Sequence, residues 1–234
     1  MSVPKIKVNQ FIYGELTRPE SWFKQYVEPI NRMYCETWNY EYVLDIPEWM
    51  HTDRSGLWLK PESILRHLTD CDYLFYLDAD ARFYSHGLSI HDEILPLMQQ
   101  AGEEKVMLFT NDCYAECWRW NATGVSAGIL LVRNCEEAKQ ILHDWIGVPD
   151  MPEYRHLRFD WLQDQSGLQY HVHPKYPDKI HMEREYYMIQ GRYSHFVRHI
   201  CRAAGENRND VFKAIFESPT MACNRMLKRR QESE

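Results

Sequence analysis

DYLFYLDADARFY, residues 72–84, runs five successive apolar residues, Tyr73 to Leu77, straight into two carboxylates at Asp78 and Asp80. An apolar run of this length bounded by polar residues is the pattern of a strand buried on both faces, as in the parallel sheets of α/β proteins. Ionised carboxylates left dry at its end would each cost on the order of several kcal/mol or take up protons. The strand must therefore deliver them to a cation or to open water. Residues two apart in an extended chain point to the same side, so Asp78 and Asp80 can project together from the C-terminal end of the strand. Ligands of open α/β sheets gather at that edge. A hard divalent cation, Mn²⁺ or Mg²⁺, is satisfied by one or two carboxylates when substrate phosphates and water complete its octahedral shell. The competing reading of a bare Asp-x-Asp is a turn cap; the apolar strand before it and the small Ala79 and Ala81 beside it favour the metal and a diphosphate.

Outward from this strand, apolar runs alternate with amphipathic stretches, the order of an α/β protein with a mostly parallel sheet flanked by helices. Ile6 to Tyr13 reads as a first strand. Trp22, Phe23, Tyr26, Val27, Ile30, Met33 and Tyr34 have helical spacing within residues 20–37, and Tyr42 to Leu44 gives a short second strand. Helices are expected over 57–68, 90–100, 136–145 and 159–170, and strands over 105–110 and 126–133. Residues 171–174 and 179–183 are short strand candidates, and 210–230 should form a last helix broken near Pro219. Without a repeat, a low-complexity tract or a clear linker, residues 1–234 read as a single domain, with about 225–234 as a tail.

Composition narrows the function. The formal net charge of −7 argues against a nucleic-acid partner, since sequence-independent binding of a polyanion needs a basic surface. No apolar run reaches the roughly 18 residues that a membrane helix requires, and the N-terminus enters a strand pattern directly, which points to a soluble, cytoplasmic protein. The seven cysteines are an odd, scattered set that suits reduced thiols, and Cys113 and Cys117 lack the second ligand pair of a zinc module. Eight Trp and fifteen Tyr supply core volume and also flat faces for sugar rings. The Tyr114 to Trp120 stretch, Trp49 and Trp58 are the candidates for holding a sugar acceptor.

Trp58, Lys60, Ile64 and Leu68, followed by DYLFYLDADA, resemble a signature of nucleotide-sugar glycosyltransferases of the GT-A fold, most closely the retaining galactosyl, mannosyl and xylosyl transferases of glycosyltransferase family 34. The run Asn31 to Tyr40 is similar to an N-K-x-x-Y-C-x-x-H-G-Y segment of that family, with Trp38-Asn39 where His-Gly is usual. Asn121 to Asn134 looks like its L-N-x-G-hydrophobic-hydrophobic-R-N element, and Asp164-Gln165 like its acidic-Gln pair.

The resemblance implies that Asp78 and Asp80 hold a cation bridging the diphosphate of a UDP- or GDP-sugar, with a C-terminal histidine as third ligand. His195, followed by Phe196, matches the family's ending better than His199, which stands as the alternative. Lys60 is implied as a diphosphate contact. Asn121, Gly124, Ala127, Gly128 and Trp120 are expected to line the donor or acceptor, the small residues by allowing close backbone approach. Asp164, with Gln165, is the candidate carboxylate facing the transferred sugar, and Asp160 one helical turn earlier is the second choice. The reaction expected is transfer of a hexose or pentose to a glycan or other hydroxyl acceptor with retention. Rival classes are a metal-dependent nucleotidyl- or phosphotransferase, disfavoured by the lack of a P-loop, and a carbohydrate-binding protein without turnover.

Overall fold

The computed structural model describes residues 3–111, 124–160, 163–183 and 194–200. Tyr73–Leu77 forms strand β3, and its alternation is visible in the packing: Leu74 and Tyr76 enter one core cluster, Phe75 and Leu77 the other. β1 (Ile6–Phe11) lies beside β3, with β2 (Glu41–Asp45) beyond it. On the other side come β6 (Val125–Arg133), β5 (Met107–Asn111) and β7 (Ile180–Glu183), completing a six-stranded sheet of order β2-β1-β3-β6-β5-β7. β1 pairs in parallel with β2 and β3, and β5 with β7, whereas β6 is antiparallel to both its neighbours. Among the described residues, β6 alone therefore runs against the rest. The sheet is mostly parallel, and the C-terminal ends of β1, β2, β3 and β5 share one edge with the start of β6.

Helices cover both faces. α1 (Glu28–Trp38) follows a π-helical turn at Phe23–Val27, and α2 (Leu59–His67) follows a 3-10 turn at Gly56–Trp58. Ile90–Glu93 (α3) and Leu95–Ala101 (α4) divide the expected 90–100 helix, with Pro96 in the first turn of α4, where its missing N–H costs nothing. α5 (Glu136–Gly147) buries Ala138, Ile141, Leu142 and Trp145 along one stripe, packed with Ile64 of α2 on one face of the sheet. Tyr34 and Cys35 of α1 and Leu95 and Met98 of α4 fill the opposite face. A second, two-stranded sheet pairs β4 (Ala81–Phe83) antiparallel with β8 (Val197–His199).

Two local expectations change. Residues 152–158 wind into 3-10 turns and the helix expected from 159 is described from Gln163, as α6 (Gln163–Gly167). The strand expected at 171–174 is helical: a π-helical turn at Leu168–Val172 leads into α7 (His173–Lys175). Leu168 and Val172, four apart and both fully buried, set a helical period that overrides the local alternation. The helix expected over 210–230, the Tyr114 to Trp120 stretch and Cys113 and Cys117 lie outside the described residues. Among the described residues, no helix is long and apolar enough to cross a membrane.

Candidate active site

β3 ends on Leu77, and a tight turn follows in which the Ala81 amide donates to the Asp78 carbonyl at 2.9 Å. The chain then enters β4, whose Ala81 lies opposite His199 of β8. That pairing, together with an Ile200 amide donating to the Asp80 carbonyl at 2.9 Å, carries His199 to the acidic turn. Its Nε2 stands 3.1 Å from Asp80 Oδ1 and 3.9 Å from Asp78 Oδ2. One ligand atom from each of Asp78, Asp80 and His199 lies within 4.8 Å of the others. Gly128 makes the third wall, because a Cβ there would come within 2.1 Å of His199 Cε1. His195, the histidine preferred from sequence, is placed elsewhere, with Nε2 4.0 Å from Glu93 Oε2. The alternative, His199, is the one that meets the aspartates.

Lys60 differs more from expectation. It sits at the start of α2, only 4% exposed, and its Nζ lies 2.9 Å from Asp78 Oδ1, 2.8 Å from Asp164 Oδ2 and 3.0 Å from the Ala127 carbonyl. An ammonium has three donors, and all are engaged within the protein. These contacts make Lys60 an internal tie between α2, β3, β6 and α6. Tyr76, also buried, donates its hydroxyl to Asp78 Oδ1 at 3.1 Å.

An irregularity in β6 makes room for this tie. Its register with β5 shifts between Phe109 and Thr110, which face Leu130 and Ser126, so Ala127 to Ile129 have no β5 partners. Bulges of this kind are common beside active sites because they release backbone groups from the ladder. Here the Ala127 carbonyl turns to Lys60, and its amide donates to Gln165 Oε1 at 3.1 Å. Asp164, 3% exposed, is fixed from behind by Trp145 Nε1 donating to its carbonyl at 2.8 Å.

Burial is the largest influence on Lys60, Asp164 and His199. It opposes the charge on Lys60, but Asp164 and Asp78 outweigh it and raise the ammonium above its ordinary range. Burial pushes the Asp164 carboxyl up, with Lys60 pulling it back. Burial works against a charged His199, and Asp80 more than offsets it, so the imidazole is raised. Two carboxylates and an imidazole form a mixed oxygen and nitrogen donor set that suits a divalent metal.

Ala127 and Gly128 lie at the site, and Gly124 begins the described segment that leads into it. Asp160 is exposed, whereas Asn121 and Trp120 lie outside the described residues. Trp58 offers no sugar face: it is 1% exposed and its Nε1 donates to the Leu157 carbonyl at 3.2 Å. Trp49 remains half exposed. Sequence reasoning missed Tyr76 as a partner of Asp78; its place two residues before that aspartate, on the same side of the strand, is the signal that could have revealed it.

Galactomannan galactosyltransferase 1 of Cyamopsis tetragonoloba is 25% identical over 173 residues, 66% of this chain and 38% of that protein, so the chain spans well under half of the relative's length. Among solved structures, a glycosyltransferase involved in the glycosylation of the major capsid of PBCV-1 superposes with a TM-score of 0.68 at 12% identity, over 91% of this chain and 99% of that one. The glycosyltransferase GlyE of Streptococcus pneumoniae TIGR4 gives 0.52 at 14% identity, over 99% of this chain and 64% of that one. Both likenesses concern the fold, that of GT-A glycosyltransferases. The profile of the galactosyl transferase GMA12/MNN10 family matches residues 17–185, through α1, the acidic turn, β6 and α6, and the chain belongs to that family.

Proposed function

We propose that the protein is a glycosyltransferase that binds a UDP- or GDP-sugar through a divalent cation, Mn²⁺ or Mg²⁺, and passes a hexose or pentose to a hydroxyl of a glycan or similar acceptor with retention. The observation that carries this reading is the meeting of Asp78, Asp80 and His199, within 4.8 Å of one another, at the sheet edge of a protein of this family. Asp78, Asp80 and His199 would hold the cation, which when bound neutralises charge on the departing nucleotide diphosphate.

The protein's own groups do the rest. Lys60 holds one oxygen of Asp78 and keeps Asp164 paired, so neither carboxylate is free to swing. The bulge at Ala127 and Gly128 presents backbone with almost no side chain, against which a sugar ring can lie closely. Asp164 contributes negative charge close to that surface, where positive charge on an anomeric carbon would be stabilised, and Gln165 fixes the backbone beside it. The half-exposed Trp49 is available to an acceptor ring.

The test is transfer or hydrolysis of UDP- and GDP-sugars by the purified chain with Mn²⁺, read by nucleotide release. Activity that disappears in Asp80→Asn and in chelator supports the reading. Nucleotide release unaffected by either would overturn it. Asp164→Asn should lower turnover by orders of magnitude with nucleotide binding intact, and near-normal turnover would remove Asp164 from the chemistry.

A further inference from the structure

Beneath the acidic turn lies a buried polar cluster that touches no ligand atom of the site. Gln10 of β1 and Asn31 of α1 are both fully buried. Gln10 Nε2 donates to the carbonyls of Asp78 and Ala81 at 3.0 and 3.1 Å. Its Oε1 accepts from Asn31 Nδ2 at 2.8 Å and from the Tyr42 hydroxyl at 2.7 Å. Asn31 Nδ2 donates a second time, to the Ala81 carbonyl at 3.1 Å, and Asn31 Oδ1 accepts from the Phe83 amide at 2.9 Å.

Both amide groups are used to capacity on the donor side, and Gln10 Oε1 on both lone pairs. The arrangement has one orientation: turning over either amide would set oxygen against carbonyl oxygen. Every backbone group it grips, the Asp78 and Ala81 carbonyls and the Phe83 amide, belongs to the stretch that presents Asp78 and Asp80. Buried polar networks are costly when partly unmade and rigid when complete. Space-filling apolar side chains would occupy the same volume without desolvating two amides, so simple packing gives no reason for them.

We propose that Gln10 and Asn31 are positioning residues that clamp the Asp78–Ala81 turn and thereby set the spacing of the two aspartates for a divalent cation. The proposal rests on the metal-site reading and extends it to a second layer of the protein. Residues that orient ligands from behind characteristically change metal affinity when altered.

The test compares the full chain with Asn31→Asp, which removes both Asn31 donors, and Tyr42→Phe, which removes one hydrogen bond to Gln10 and keeps the ring. Leu142→Ala in α5 serves as a control that loosens the core away from the turn. Mn²⁺ binding is followed by electron paramagnetic resonance with the metal alone, and amide hydrogen exchange over residues 78–84 by mass spectrometry. The Mn²⁺ dissociation constant should rise about tenfold or more in Asn31→Asp and less in Tyr42→Phe, with faster exchange over 78–84 in both. Leu142→Ala should lower the melting temperature and keep wild-type Mn²⁺ affinity. Should Asn31→Asp fail to fold, Tyr42→Phe decides alone. Folded variants with wild-type affinity and wild-type exchange overturn the proposal. Absence of saturable Mn²⁺ binding by the unaltered chain is a different result, which overturns the metal reading and takes the proposal with it.

Discussion

Residue by residue, the acidic pair could be read from the chain because its signal is local: an apolar strand, then carboxylates on one side. His199 stood only as the alternative to His195, since its partner Asp80 lies 119 residues away and the pairing of β4 with β8 is what joins them. Asn39 shows the converse case. It stands where the related family segment has glycine, and it caps α1 in the left-handed region at φ 56°, a conformation glycine adopts freely and asparagine tolerates better than most. Lys60 carries the sharpest prediction at this scale. Lys60→Met leaves Asp78 and Asp164 facing each other without their shared cation, which should cost about 3–5 kcal/mol, measured by urea unfolding. Adding Asp164→Asn should recover part of that loss, the sign of direct coupling. Two losses that simply add would show that the ion pair does not stabilise the fold.

Among elements, β3 was legible to the residue because every position in it is apolar and both flanks are polar. The β6 irregularity was not, since Ser126, Ala127 and Gly128 announce small side chains without announcing which ladder bonds are given up. Residues 171–174 misled because alternation over four positions is too short to outweigh the burial of Leu168 and Val172. The same region supplies a test by pH. Asp144 of α5 accepts hydrogen bonds from Lys175, Tyr176 and Gln140, fastening α7 to α5. Burial acts to raise its carboxyl, but these bonds prevail and lower it. A depressed carboxyl contributes stability above its unfolded value of about 4, and the contribution fades as pH falls through the folded value. Asp144→Asn should therefore melt below wild type at pH 7, with the gap closing as the solution is acidified below about pH 4. A gap independent of pH would mean that the charge of Asp144 contributes nothing.

At the scale of the whole molecule, the fold class was legible from the alternation of apolar runs and amphipathic stretches, and the reversed direction of β6 was not, because a buried strand looks the same in either sense. Metal should report on the molecule as a unit. A cation that binds the native state alone raises the melting temperature by mass action, and at free Mn²⁺ about 100 times its dissociation constant the gain is about 2.7 kcal/mol. Scanning calorimetry should show that rise, its reversal by chelator, and its loss in Asp80→Asn; a rise that survives in the variant would place the ion elsewhere. The tie made by Lys60 has a further consequence for how the molecule assembles. Its three acceptors arrive from Asp78, Ala127 and Asp164, so a chain still missing any one of these segments leaves the buried ammonium short of an acceptor. Half-built versions of the pocket are penalised, and enzymatic competence should return on refolding with the final kinetic phase, after helical signal has already been regained.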